Sequence, residues 1–85
     1  MDEAIIIGEI RQYIQAHILA SEVTLEDDTV LQQAGVDSFS IVEIILFIER
    51  QYGVGIPDDK LVPENFRTLQ ALAATVQELT SKAAL

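Results

Sequence analysis

The sequence predicts an all-α fold, a compact bundle of three main helices and one short one. Three observations carry that expectation. Several segments repeat apolar residues at three- and four-residue steps. None alternates in the manner of a strand. Eighty-five residues at 49% hydrophobic allow one domain, residues 1–85, with a modest but efficient core.

The first helix is expected over residues 2–20, where Ile6, Ile7, Ile10, Ile14 and Ile18 form a stripe. Asp2, Glu3 and Glu9 suit the positive end of its dipole. Its β-branched content is high, so packing of the stripe rather than intrinsic propensity must make it helical. A polar link over residues 21–37 follows, pinned to the core by Val30, Leu31 and Val36, with room for a helical turn at 29–33. The acidic run Glu26-Asp27-Asp28 lacks the alternating spacing and central glycine of a calcium loop and reads as solvated.

The second main helix is expected over residues 38–52, ended by Gly53. Two caps compete for its start: Asp37 or Ser38, or Ser40 with Glu43 in a capping box. Residues 58–62 hold one short turn, and Pro63 stops it. Thr68 caps the last helix, which turns Leu69, Leu72, Ala73, Val76 and Leu79 to one side and Gln70, Gln77 and Glu78 to the other. The tail from Thr80 is expected to fray.

Composition narrows the function. With 14 acidic and 5 basic residues and a net charge of −9, the chain repels nucleic acid and anionic lipid. The same charge either favours partners with basic patches or only keeps a small protein soluble. The absence of cysteine rules out disulfides and thiolate metal sites and suits a reducing compartment, here the cytoplasm. The acidic N-terminus lacks the basic region of a signal peptide, and the longest apolar run, residues 44–48, is far too short to span a bilayer.

Catalysis is poorly provided for. A serine nucleophile needs a base, and His17, the one histidine, sits near the first helix's stripe, where a half-buried structural role is expected. There is no glycine-rich phosphate loop, and no metal site or catalytic residue is expected. The second main helix is the anomaly. Phe39, Ile41, Val42, Ile44, Ile45, Leu46, Phe47 and Ile48 project around nearly its whole circumference. It is either the central core helix or one that offers an apolar surface or lines a ligand cavity. Ser38 stands at its start, where free N–H groups and the dipole tolerate a phosphate ester, although Asp-Ser before a helix is often only a cap.

These residues resemble a known family. Gly35-Val36-Asp37-Ser38-Phe39 is similar to the Gly-x-Asp-Ser-Leu signature of acyl carrier proteins and related carrier domains. The resemblance runs through the isoleucine-striped first helix, Asp28-Thr29-Val30-Leu31, Val42-Glu43, Ile56-Pro57-Asp58 and Thr68-Leu69. It implies an antiparallel four-helix bundle and a non-enzymatic role. It also implies a 4′-phosphopantetheine arm on Ser38, transferred from coenzyme A by a phosphopantetheinyl transferase, whose thiol carries acyl groups as thioesters between acyl-loading and acyl-processing enzymes.

The sequence departs from the fatty-acid pattern at Phe39, Ser40, Ile41, Phe47 and Arg50, so docking by the second main helix is expected to be more hydrophobic than usual. Asp37, Phe39, Val42, Glu43, Leu46 and Phe47 are the expected partner contacts. The expectation is a free-standing, monomeric acyl carrier protein in fatty-acid or a specialised lipid or secondary pathway. An aminoacyl, peptidyl or polyketide carrier is the nearest alternative, and an unmodified acidic helical interaction module is the rival of another class.

Overall fold

Asp2 starts the first helix by accepting a hydrogen bond from the Ala4 N–H at 2.9 Å. In the computed structural model, which describes residues 2–19 and 23–83, this helix, α1, is Glu3–His17. Ile6, Ile7, Ile10 and Ile14 are buried as the stripe requires, whereas Ile18 lies beyond the helix and is only half-buried. α1 therefore stops short of the expected residue 20. The cause is the returning chain: the Gln15 amide donates to Val23 O at 3.1 Å and Arg11 Nε to Leu25 O at 3.0 Å. A segment tied back to these side chains has to turn soon after His17.

The helical turn expected at 29–33 is displaced to Leu31–Ala34, here α2. Thr29 does not cap it; its hydroxyl accepts from the Glu26 N–H at 2.9 Å and closes the preceding turn instead. Arg11 also pairs with Asp27, so the acidic run is partly engaged in holding this loop. Leu31 and Val36 are buried and Val30 half-buried, and Leu25, not anticipated, joins the core.

The second main helix, α3, is Ser38–Tyr52 and ends at Gly53 with φ of 65°. Tyr52 donates to the Glu9 carboxylate at 2.7 Å and ties its end to α1. Burial, and then that carboxylate, push the Tyr52 phenol above its ordinary value. Two 3-10 turns follow, Asp58–Lys60 and Pro63–Phe66. The first sits where a short turn is expected. Pro63, however, begins the second turn, because a fixed φ and a missing N–H suit a first helical position.

The last helix, α4, is Leu69–Ala83. Thr68 caps it, accepting from the Ala71 N–H at 3.1 Å. Its helix takes in residues 80–83 of the segment expected to fray, the rest of which lies outside the described residues, and the Thr80 hydroxyl is bonded back to Val76 O at 2.9 Å. Thr75 is buried but satisfied in the same way, on Ala71 O at 3.0 Å.

The result is an all-helical bundle of four helices, three of them long, with no strand among the described residues. α4 makes its broadest helix contact with α1, and α3 touches both. Ile6, Ile10, Ile14, Leu31, Ile44, Ile48, Leu69, Leu72, Ala73 and Val76 form the shared core. Each large aliphatic side chain so buried contributes about 1.5–3 kcal/mol. Leu79 packs at its margin, half-buried.

Candidate functional site

Gly35 shapes the approach to α3. Its φ of 113° is unfavourable for a side chain, and a Cβ there would meet Leu19 Cδ2 at 3.3 Å. The turn is closed by Val36 N–H donating to Leu31 O at 3.0 Å. Asp37 is then extended, with φ of −91°, and its carboxylate accepts from the Ser40 N–H at 2.8 Å. This settles the competing caps: Asp37 is the cap and Ser40 lies inside the first turn. The Ser40 N–H first, and the Ser40 hydroxyl second, hold the Asp37 carboxyl below its ordinary value.

Ser38 is consequently the first residue of α3 and is exposed. Among the described residues no side chain hydrogen-bonds its hydroxyl, so no general base is assembled around it. His17 does not approach this site. Contrary to the expected half-buried role, it is exposed, lies 4.9 Å from the Tyr13 ring between centroids, and lines a different cleft with Phe47 and Gln51.

Asp37 and Ser38 open onto a cleft of about 360 Å³ between the α2–α3 junction and the second 3-10 turn. Val30, Val36, Ile41, Pro63 and Phe66 give it apolar walls. Gln32, Glu64 and Arg67 add polar groups, none of which the motif-based reading singled out. Arg67 and Glu64 carried no sequence signal beyond their charge; only the folding of residues 63–67 against α2 brings them to Ser38.

The other expected contacts divide into two sets. Phe39, Val42 and Leu46 stand at helical spacing on one side of α3 and are 76%, 55% and 50% exposed. Glu43 and Phe47 are half-buried, one turn apart. Phe47 stacks on Tyr13 of α1 at 4.2 Å between ring centroids, so it joins two helices rather than standing free. Among the described residues, no cluster of three or more His, Cys, Asp or Glu could hold a metal ion. No described helix is long and apolar enough to cross a membrane.

Comparison with known proteins bears on this site. The family described as "Phosphopantetheine attachment site" matches residues 8–76. An acyl carrier protein of Rhodococcus erythropolis is 36% identical over 93% of this chain and 86% of its own length. Aminoacyl carrier protein 2 of Bradyrhizobium diazoefficiens is 27% identical over 79% of this chain and 73% of its own. The fold also resembles a chain in the crystal structure of the Bradyrhizobium japonicum glycine:[carrier protein] ligase complexed with its cognate carrier protein and an analogue of glycyl adenylate. There the TM-score is 0.73 at 24% identity, covering 89% of this chain and 96% of that one.

Proposed function

The chain belongs to the acyl carrier protein family, whose members carry a covalent phosphopantetheine arm, and from that premise we propose that Ser38 is the attachment residue. The observation that carries this is an exposed, unengaged serine hydroxyl on the first turn of α3, at the mouth of a cleft. The site fits the group. An exposed hydroxyl gives access to an external transferase, the cleft can shelter part of a flexible arm, and the helix terminus favours an anion. In the transfer, Ser38 Oγ forms a bond to the β-phosphorus of coenzyme A and loses its proton. The bond to the departing adenosine 3′,5′-bisphosphate breaks. The arm then supplies a thiol that holds cargo as a thioester, chemistry a cysteine-free chain lacks.

The protein acts as a monomeric, non-catalytic acyl carrier in the cytoplasm, serving fatty-acid or specialised lipid or secondary metabolism. Phosphopantetheinyl transferase and the acyl-loading and acyl-processing enzymes dock on α3. Phe39, Val42 and Leu46 supply the apolar contact, and Asp37 and Glu43 supply charge at its flank. Phe47 supports that surface from its contact with Tyr13. The second reading, an aminoacyl carrier, is favoured by the likeness to the Bradyrhizobium carriers and by the modest cleft.

Incubation with coenzyme A, magnesium and a broad-specificity transferase tests the attachment. Intact mass should show one phosphopantetheine on the wild type and none on Ser38→Ala, whose melting should be nearly unchanged. An adduct persisting in that variant would refute the assignment. The mass of protein taken from its own host then reads the cargo, separating fatty acyl from aminoacyl, peptidyl or polyketide loads. A host protein carrying no arm at all would support an unmodified interaction module.

A further inference from the structure

Four described side chains in this acidic chain are cationic, and they are used differently. Arg11 bonds to Leu25 O and pairs with Asp27. Lys60 pairs with Glu78 at 2.7 Å. Arg50 lies in the last turn of α3. Arg67 is the cation lining the Ser38 cleft, and among the described residues its guanidinium makes no hydrogen bond or ion pair. Glu64 lines the same cleft, yet the two are not paired. Arg50 is likewise without a hydrogen bond or ion pair among the described residues but does not line this cleft. In a chain of net charge −9, Arg67 is therefore the described cation that stands in the Ser38 cleft with its guanidinium open to another anion.

The backbone fixes this arrangement. Arg67 O accepts from the Leu31 N–H at 2.9 Å, which anchors Arg67 to the head of α2. From there α2 and the Gly35 turn lead directly into Ser38. We propose that Arg67 is a positioning residue that binds the phosphodiester formed on Ser38 and draws the arm toward the cleft. The inference rests on the reading of Ser38 as the attachment residue. A phosphodiester carries one negative charge shared over two free oxygens, which a planar guanidinium can engage through two parallel N–H groups. The protein's net charge repels that anion, and Arg67 supplies the local attraction that opposes it.

The test uses the phosphopantetheinylated protein and the 31P resonance of its phosphodiester at low salt. Arg67→Gln should move that resonance and reduce the docked arm by roughly two- to fivefold, the range of an exposed ion pair. Arg67→Lys, which keeps the charge but loses the fork, should fall between. Arg50→Gln should leave the resonance in place, and Glu64→Gln should move it opposite to Arg67→Gln. Salt should carry the wild-type resonance toward that of Arg67→Gln, because such a pair is screened. Coincident resonances for wild type and Arg67→Gln at low salt would overturn the proposal. Failure of the Ser38 reading shows earlier and separately, as no adduct or an adduct mapped elsewhere.

Discussion

α1 and α3 are each 15 residues long, each begins after a capping aspartate, and each is rich in isoleucine. They use that apolar content in opposite ways. α1 buries Ile6, Ile7, Ile10 and Ile14 and leaves only Ile5 among its isoleucines well exposed. α3 buries Ile44 and Ile48 and leaves Phe39, Val42 and Leu46 at least half exposed in a line. One helix is built to hold the bundle together. The other forgoes burial worth about 1.5–3 kcal/mol per side chain along one face. That open apolar face is the observation on which the proposed docking by α3 rests.

The sharpest way to break this contrast is within α3 itself. Ile48→Ala should cost about 2–5 kcal/mol, because the fully enclosed side chain leaves a cavity. Leu46→Ala, two residues earlier, should change stability by only ~0.5 kcal/mol while weakening transfer from a cognate enzyme. Chemical denaturation of both variants decides it. A comparable loss for Leu46 would mean that its face is part of the fold.

Phe47 lies between these extremes. Half-buried and stacked on Tyr13, it should cost roughly 2 kcal/mol on truncation to Ala, below the range of a full core aromatic. A double-mutant cycle with Tyr13→Ala should return about 0.5–1.5 kcal/mol of coupling. Zero coupling would detach Phe47 from α1 and return it to the free docking face.

Gly35 tests the junction that delivers Ser38 to α3. Gly35→Ala should cost about 1–2 kcal/mol, since a side chain is unfavourable at φ of 113°. The Leu19 methyl contact at 3.3 Å adds to that. Thermal melting reads the loss, and an unchanged melting temperature would mean that the turn tolerates a side chain.

The contrast between the helices was only half legible beforehand. The spacing of Ile6, Ile10 and Ile14 selects one face of α1, and the fold buries that face. In α3 the apolar residues surround the axis, so periodicity cannot say which side meets solvent; only the placement of α1 and α4 decides. Caps that depend on one local bond were readable, as with Thr68 and its bond to Ala71. Asp37 and Ser40 offered equivalent chemistry one turn apart, and the extended Asp37 backbone made the choice. The turn at 58–60 does end before Pro63, but the second turn that Pro63 begins is not legible because a proline fits a helix start as well as a stop. The end of α1 is not legible because Gln15 and Arg11 act across the chain. Ser38 and its neighbours were legible as a motif, whereas Arg67 belongs to the site only through folding.

The smallest effect separates the charge of the α3 cap from its geometry. Asparagine caps helices about as well as aspartate, so Asp37→Asn keeps the acceptor for the Ser40 N–H and removes only the negative charge. In the folded protein the Ser40 N–H first, and the Ser40 hydroxyl second, bond the ionised Asp37 carboxyl and hold it below its ordinary value. In the unfolded chain an aspartate titrates near ~3.9. A carboxyl whose value is depressed by folding stabilises the fold above the unfolded value, and that stabilisation fades as the pH falls through the folded value. Wild type should therefore melt slightly above Asp37→Asn at neutral pH, and the difference should begin to fade near the unfolded value of about 4 and disappear only once the pH has fallen through the lower folded value. A carbon-detected titration of the Asp37 carboxyl should place its midpoint below that of an ordinary aspartate. A midpoint at or above the ordinary value, or a melting difference that persists in acid, would show that the cap draws nothing from its charge.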